Sequence, residues 1–286
     1  MATIKLAAPA KLNLTLDVLG KRPDGYHDMK MVMQSVTLRD ELTLTTEPGE
    51  GTVLTTDLPF LPVNGDNLAV KAANALRAAT GADWGRLSIH IEKHVPVCAG
   101  MAGGSSDAAA VLRGLDELAG LGLDRDRLAE IGQQVGSDVP YCVWGGTALA
   151  EGRGEVLTPL PALPDCWIVI AKPRFAVSTP QLFRQLDGKK VRCRPDTPGM
   201  LAALEAHDLG GVARRVFNIF EAVLPDDRRG QVEELKNCLI HQGALGACMS
   251  GTGPTVFGIF DKEQTARSAL EAASAICPNT WLARNA

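Results

Sequence analysis

A loop of small residues that runs into an amphipathic helix is the part of this sequence best suited to chemistry. It spans residues 96–110 and reads Pro-Val-Cys-Ala-Gly-Met-Ala-Gly-Gly-Ser-Ser-Asp-Ala-Ala-Ala. Gly100, Gly103 and Gly104 have no Cβ, so an anion can approach the backbone N–H groups closely. The start of a helix adds unpaired N–H groups and the positive end of the helix dipole. The pattern predicts a phosphate-binding loop, although a glycine-rich loop that only caps a core helix fits this segment taken alone.

The residues after the loop predict where the helix begins. Ser105 or Ser106 is a suitable N-cap, because a serine hydroxyl can accept a hydrogen bond from an unpaired N–H of the first turn. Beyond it, apolar residues recur at helical spacing on one face, namely Ala108, Val111, Leu112, Leu115 and Leu118. We therefore expect the N-terminus of this helix to point at the loop.

Polar side chains project together from a predicted strand near the N-terminus. Residues 11–18 alternate strictly, so the leucines and the valine face a core while Lys11 and Asn13 lie on the opposite face. Asp138, between Ser137 and Pro140, is a further polar candidate. Taken singly, Lys11 is also explained as a solvated strand residue and Asp138 as the cap of a turn.

Composition limits the class of protein. The chain has 286 residues, 45% of them hydrophobic and 22% charged, which is ordinary for a soluble globular protein. Its net charge of −4 and the lack of a long Lys/Arg run argue against nucleic acid or an anionic membrane surface as a partner. No segment approaches 18 uninterrupted apolar residues and no signal peptide is recognisable, so we expect a cytoplasmic protein.

Cysteine and histidine usage gives no signal for a disulfide framework or a zinc site. The seven cysteines are odd in number, scattered and never spaced Cys-x-x-Cys, which indicates reduced thiols. His90 and His94 lie in a strand-like alternation and do not form the His-Glu-x-x-His pattern of a zinc site.

Strand and helix signals alternate along the chain, which predicts an α+β protein. Predicted strands cover residues 11–18, 41–46, 86–92 and 167–171, with a strand-loop-strand unit around 248–260 and a short strand at the C-terminus. Predicted helices cover residues 67–79, 128–135, 200–207, 211–220, 231–242 and 264–276. The Pro/Gly-rich passage 152–164 interrupts the pattern, so we expect domains at 1–163 and 164–286.

Three segments resemble, in this order, the motifs of the GHMP small-molecule kinases. They are Pro9-Ala-Lys-Leu-Asn-Leu14, the Gly-Gly-Ser-Ser-Asp-Ala-Ala end of the loop, and Ser250-Gly-Thr-Gly-Pro254, which alone would read as a plain hairpin turn. Segments 22–27 (Arg-Pro-Asp-Gly-Tyr-His) and 136–141 (Gly-Ser-Asp-Val-Pro-Tyr) are similar to the branch of the family that acts in non-mevalonate isoprenoid synthesis. The resemblance spans nearly the whole chain.

This resemblance implies a fold and an activity. The fold has an N-terminal ATP-binding domain like domain 2 of ribosomal protein S5, then a ferredoxin-like substrate-binding domain, with ATP and substrate between them. The activity is ATP-dependent phosphorylation of the 2-hydroxyl of a cytidine diphosphate-linked methylerythritol. Asp138 matches the general base, Lys11 matches the lysine beside it, and Asn13 is placed to hold substrate hydroxyls. A carboxylate suits this task because a hydroxyl is a poor nucleophile until its proton is accepted.

The loop matches the ATP phosphate loop of the family, with a serine hydroxyl and Mg²⁺ as the implied bridge to the phosphate oxygens. Either Ser105 or Ser106 fits that role. The family has glycine where this chain has Cys98, Ala99 and Ala102, and leucine at Met101. Because alanine tolerates positive φ poorly, we expect negative φ at both alanines. The full set of implied ATP-binding residues is Pro96, Val97, Cys98, Ala99, Gly100, Met101, Ala102, Gly103, Gly104, Ser105 and Ser106.

Cytidine recognition is implied by three further positions. Tyr26 and His27 match the cytidine-binding signature, and Phe183 matches the opposing stacking position. Each aromatic ring also has a simpler explanation, since Tyr26 could only pack a loop and Phe183 could anchor a core.

Two other functions stay open. One is a related kinase for another alcohol, such as homoserine or mevalonate, and the other is a nucleotide-binding regulator without catalysis. Tyr26 and His27 favour the cytidine-linked substrate, while Lys11 and Asp138 favour a kinase over a regulator. The Gly-x-x-x-x-Gly-Lys-Ser/Thr pattern of a Walker ATPase does not occur. The expected partner is a small molecule, with no nucleic acid and no membrane, and the chain is expected to be a monomer or a homodimer.

Overall fold

The computed structural model describes residues 1–286, which form two compact units. Unit 1 consists of Met1–Ala10, Arg39–Val97 and Ala102–Gly145. Unit 2 consists of Lys11–Leu38, Cys98–Met101 and Gly146–Ala286. Two long strands, β1 (Ala2–Lys21) and β2 (His27–Glu47), contribute residues to both units.

In unit 1, helices cover one face of a sheet. The further strands are β3 (Thr52–Thr56) and β4 (Arg86–Glu92), and the helices are α1 (Leu68–Thr80), α2 (Gly103–Ala119), α3 (Arg125–Gln133) and α4 (Val139–Trp144). Strand β4 pairs antiparallel with the end of β2 and parallel with β3. Helix α2 lies close to this sheet at Gly114, where an added Cβ would press on the side chains of Leu6 and Leu44.

The local signals explain the elements of unit 1. Alternate residues of β4 are buried, as its alternation predicts. The predicted limits of α1 are confirmed within one residue. Asn67 caps its first turn by accepting a hydrogen bond from the N–H of Ala69, and Gly81 ends it with φ of 69°.

Unit 2 contains a four-stranded antiparallel sheet in the order β11-β7-β10-β9. These strands are β7 (Trp167–Ala171), β9 (Gly246–Met249), β10 (Val256–Phe260) and β11 (Thr280–Arg284). Helices α8 (Asp226–His241) and α9 (Glu263–Ile276) pack on it. The predicted strand 167–171, the strand-loop-strand unit, the terminal strand and both late helices are confirmed.

The remaining elements of unit 2 lie around the parts of β1 and β2 that it contains. They are β5 (Thr147–Gly152), β6 (Val156–Pro159), α5 (Thr179–Asp187), α6 (Thr197–Glu205), α7 (Leu209–Ala213), β8 (Phe217–Asn218) and a 3₁₀ helix (Ile219–Val223). The predicted helix 211–220 is wrong, because α7 ends at Ala213 and Phe217 pairs with Thr15 of β1 instead. No helix of the chain combines the length and the apolar character needed to cross a membrane.

Candidate active site

The backbone of the loop alternates in handedness. Cys98, Gly100 and Ala102 have φ of 52°, 73° and 57°, whereas Ala99 and Met101 have negative φ. Such alternation turns successive N–H groups towards one side, which is the geometry of an anion-binding nest. Negative φ is confirmed for Ala99 and wrong for Ala102, where the left-handed conformation costs roughly 1 kcal/mol. The strained residue, Ala102, directly precedes the first residue of α2.

The serines lie inside the first turn of α2 and do not cap it, so the predicted N-cap is wrong. Ala102 occupies the N-cap position, and the N–H of Ser106 donates to its carbonyl at 2.8 Å. Ser106 is buried, and its hydroxyl donates to the carbonyl of Pro9 at 2.7 Å. Ser105 is half-buried and its hydroxyl makes no hydrogen bond within the protein. Of the two serines, Ser105 therefore has the hydroxyl that is available to a ligand.

Asp138 lies directly before α4 in unit 1. Although it occupies the N-cap position, its side chain makes no capping hydrogen bond to the helix. The carboxylate therefore does not cap this helix. Gly136, two residues earlier, adjoins the start of α2, since a Cβ added there would lie 3.9 Å from Ser105 Oγ. Within unit 1, the segment that carries Asp138 therefore lies next to Ser105 in the first turn of α2.

Lys11 and Asn13 are brought together in unit 2. Lys11 Nζ donates to Asn13 Oδ1 at 2.7 Å, and the two residues are 4% and 0% exposed. Lys11 is therefore a buried residue and not a solvated one. Its backbone N–H also donates to the carbonyl of Met101 at 3.1 Å, which joins β1 to the loop. Lys11 thus contacts Asn13 through its side chain and the loop through its backbone.

Ser250 is a site residue whose role sequence reasoning missed. Its hydroxyl donates to the carbonyl of Gly100 at 3.0 Å and accepts from the N–H of Asn13 at 3.2 Å. Gly100 lies so close that an added Cβ would collide with the carbonyl oxygen of Ser250. The Ser-Gly-Thr-Gly-Pro motif was the sequence signal that could have indicated this role. Its first residue, Ser250, links the loop to β1 through the two hydrogen bonds of its hydroxyl.

Asn218 is a second missed residue, and it holds the turn that follows Ser250. Its side-chain NH₂ donates to the carbonyls of Met249 and Gly251 at 2.8 and 2.7 Å. This role also accounts for the failed helix prediction, because a strand conformation at 217–218 directs the amide towards the turn. No local sequence signal indicates that pairing.

The residues expected to recognise cytidine are placed in two groups. His27 stacks on Phe183, with ring centroids 4.5 Å apart and 25° between the planes, and Phe183 meets Phe220 edge-on at 5.0 Å. His27 Nε2 is 2.7 Å from Asp187 Oδ1, and this hydrogen bond lowers the pKa of Asp187. Tyr26 is 54% exposed, and the guanidinium of Arg153 lies 3.8 Å from its ring centre.

A buried charge cluster lies beneath the start of α2. Lys93 donates to both Asp40 and Asp107, and the side chains of all three are at most 5% exposed. Asp40 also accepts from the N–H groups of His94 and Val95 at 2.6 and 2.7 Å. Burial raises the pKa of Asp107 to about 7. The ammonium of Lys93 opposes this shift, whereas the carboxylate of Asp40 adds to it. Three positions far apart in sequence meet here, which is why sequence patterns did not indicate the cluster.

Asp107→Asn is expected to remove a pH-dependent loss of stability. The folded-state pKa of Asp107 lies above the unfolded value of about 4. The contribution of this side chain to the free energy of unfolding is therefore fully present below about pH 4. That contribution is lost as the pH rises through about 7. As the pH rises across this window, the free energy of unfolding of the wild type should therefore fall relative to that of the variant, by at most about 1.4 kcal/mol per pH unit. Urea unfolding at pH 5 and pH 8 measures the difference, with Asp126→Asn in the exposed first turn of α3 as control. Equal pH slopes in wild type and Asp107→Asn would contradict the assignment.

The chain is similar to several groups of known proteins. The family model "GHMP kinases N terminal domain" matches residues 67–146, and "GHMP kinases C terminal" matches residues 200–279. A 4-diphosphocytidyl-2-C-methyl-D-erythritol kinase of Alkaliphilus metalliredigens is 42% identical over 285 residues, which cover 100% of this chain and 97% of that protein. The protein of the same name from Brevibacillus brevis is 46% identical over 260 residues, covering 91% and 88%.

Solved structures agree with these matches. A crystal structure of 4-(cytidine 5'-diphospho)-2C-methyl-D-erythritol kinase aligns with a TM-score of 0.83 and 31% identity, covering 99% of each chain. A homoserine kinase from Cytophaga hutchinsonii aligns with a TM-score of 0.78 at 18% identity, covering 100% of this chain and 95% of that one, and shows a shared fold only. The expected fold class is confirmed.

Proposed function

Because the chain belongs to the GHMP kinase family, we propose that it transfers the γ-phosphoryl group of ATP to the 2-hydroxyl of 4-diphosphocytidyl-2-C-methyl-D-erythritol. The product would be the 2-phosphate of that compound together with ADP, a step of isoprenoid precursor synthesis. The observation that carries the choice of substrate is the arrangement of His27, Phe183 and Asp187, which offers a ring surface beside a fixed imidazole.

Cytosine recognition is proposed to involve that imidazole. In the tautomer whose Nε2–H donates to Asp187, Nδ1 of His27 can accept a hydrogen bond from the amino group of cytosine. The half-exposed ring of Tyr26 offers a stacking surface, and Arg153 on its face restricts its motion. Phe183 supports His27 from one side and is proposed to close the pocket.

The phosphoryl transfer itself is assigned by the family motif and supported by the local geometry. Asp138 is proposed to accept the proton of the 2-hydroxyl as that oxygen attacks the γ-phosphorus and the bond to ADP breaks. The ammonium of Lys11 is proposed to offset the negative charge that develops, and Asn13, which holds Lys11, to orient the substrate hydroxyls. The alternating backbone of residues 98–102 supports binding of the ATP phosphates by N–H groups.

A magnesium ion fits this donor set. Mg²⁺ prefers oxygen ligands and keeps several waters, so one protein hydroxyl besides the nucleotide phosphates is sufficient. Ser105 provides that hydroxyl, whereas the hydroxyl of Ser106 is engaged with Pro9. When bound, the ion would supply positive charge to the β- and γ-phosphate oxygens. We propose Ser105 as its protein ligand, residues 1–163 as the ATP-binding part, residues 164–286 as the substrate-binding part, and a cytoplasmic monomer or homodimer as the working form.

Tyr26→Ala is expected to weaken binding of the cytidine-linked substrate by about 1–3 kcal/mol, because one stacking surface is removed. The KM for ATP should stay unchanged, and Tyr26→Phe, which keeps the ring, should retain near-normal binding. Coupled ADP assays across a panel of alcohols measure these values, and CMP should inhibit competitively. Turnover of homoserine, mevalonate or unlinked methylerythritol at comparable kcat/KM, without inhibition by CMP, would contradict the proposal that the substrate is cytidine-linked.

A further inference from the structure

A positively charged pocket in unit 2 has no part in the reaction proposed above. Its volume is about 360 Å³, and its walls include Arg184, Gln185, Lys189, Val223, Leu224 and Arg229. Three of its lining residues are cationic and none is acidic, although the chain as a whole has a net charge of −4. Concentrated positive charge of this kind attracts anions.

The positive charge of this pocket is poorly neutralised by the protein. Neither Arg184 nor Lys189 pairs with a carboxylate, and Lys189 Nζ instead donates to the carbonyl of Ala222 at 2.6 Å. Arg229 donates to the carbonyl of Leu224 at 2.7 Å. Its one acidic neighbour, Asp226, is 3.3 Å away and 97% exposed, so water screens that pair strongly.

Two polar atoms in the pocket walls lack partners. Gln185 Oε1 and Arg229 Nε are buried and make no hydrogen bond within the protein. A buried polar atom without a partner is costly, so such atoms normally have a water or a ligand as partner. The Nε–H of Arg229 can donate to an anion oxygen, and Gln185 Oε1 can accept from a hydroxyl or a water.

Helix dipoles do not explain all three cations. Arg184 lies in the last turn of α5 and Lys189 follows its C-cap, where positive charge stabilises the helix end. Arg229, however, lies near the N-terminus of α8, where positive charge opposes the dipole. Its contacts with the carbonyl of Leu224 and with Asp226 leave Nε without a partner, and an anion shared with Arg184 and Lys189 would supply one.

We propose that this pocket is a second anion site, which binds the diphosphate group of a small organic molecule. Guanidinium groups match phosphate oxygens in a fork geometry, and the lysine adds a compact charge.

Occupation of this site has a consequence for the candidate cytidine pocket. Helix α5, which carries Arg184 and Gln185, also carries Phe183 and Asp187, the two residues that contact His27. An anion that binds Arg184 and Lys189 restrains this helix. The coupling to cytidine recognition rests on the proposed function, whereas anion binding does not.

Calorimetry on the full chain tests the site. A non-hydrolysable ATP analogue is first added to saturation, so that phosphate-loop binding cannot account for the signal. Inorganic pyrophosphate and a short alkyl diphosphate are then titrated, and each is expected to bind at one site. The double variant Lys189→Gln/Arg229→Gln should weaken both by about tenfold or more, since two charge-assisted contacts are lost.

Arg228→Gln is the matched control, because Arg228 lies beside Arg229 but packs over the ring of Phe175 and does not line the pocket. Its binding should equal that of the wild type. No binding to the wild type, or the same weakening in the control and the double variant, would overturn the site.

Steady-state kinetics tests the coupling separately. The alkyl diphosphate should change the KM of the cytidine-linked substrate in the wild type and leave it unchanged in Lys189→Gln/Arg229→Gln. An equal KM in the wild type with and without the compound would overturn the coupling. Failure of the proposed function would instead appear as no turnover by any variant, with the calorimetric result unaffected.

Discussion

Asp138→Asn should lower kcat by about 10²-fold or more while leaving nucleotide affinity nearly unchanged. The asparagine keeps the size and shape of the side chain but cannot accept the proton of the attacking hydroxyl, and a positioned general base contributes about 10²–10⁴-fold to a rate. The side chain makes no capping hydrogen bond to α4, so loss of a helix cap does not account for a fall in kcat. Single-turnover measurement of phosphoryl transfer reads the chemical step directly.

Ser137→Ala is the matched control for this experiment. Ser137 is the exposed neighbour of Asp138, so its replacement tests whether any change at this turn slows the enzyme. It should retain near wild-type kcat. Turnover of Asp138→Asn within a few-fold of the wild type would remove Asp138 from the catalytic role, and an equal loss in Ser137→Ala would indicate a structural effect.

Gly100→Ala is expected to weaken ATP binding by about tenfold or more. Gly100 has φ of 73°, and a Cβ there would collide with the carbonyl oxygen of Ser250, so both the loop and the turn against it must move. Displacement that costs about 1.4 kcal/mol of binding free energy already corresponds to a factor of ten in affinity. Calorimetric titration with a non-hydrolysable ATP analogue measures the effect.

Gly122→Ala separates this collision from ordinary backbone strain. Gly122 has φ of 67°, and a Cβ added there meets nothing within 4 Å. Both variants should lose roughly 1 kcal/mol of stability from left-handed strain, but only Gly100→Ala should lose nucleotide affinity. Equal affinities in the two variants would mean that the contact between the loop and Ser250 is irrelevant to nucleotide binding.

Local patterns predicted the elements that depend on local physics. The alternation of β4, the cap of α1 at Asn67 and the continuous apolar strand Trp167–Ala171 follow from side-chain spacing and capping chemistry alone. The order of the motifs likewise predicted the family. The strand alternation, the helix cap and the apolar strand depend on residues that are neighbours in sequence.

The errors occur where distant residues override the local preference. Ala102 adopts positive φ although alanine disfavours it, because the alternating backbone of the loop requires that conformation. The predicted helix 211–220 ends early because Phe217 pairs with β1 and Asn218 holds the turn near Gly251. The cluster of Lys93, Asp40 and Asp107 gave no signal, since its members come from three separate elements.

The hydroxyl of Ser250 joins positions that are 237 and 150 residues away along the chain. Residues 1–250 must therefore be synthesised before the hydroxyl of Ser250 can link Asn13 of β1 to Gly100 of the loop. Contacts of such long range form late and slowly, because the chain entropy of closing them is lost before any stabilisation is gained. Nascent chains that end before Ser250 should accordingly lack this fastening. This link between residues 98–101 and β1 is thus completed only after Ser250 has been synthesised.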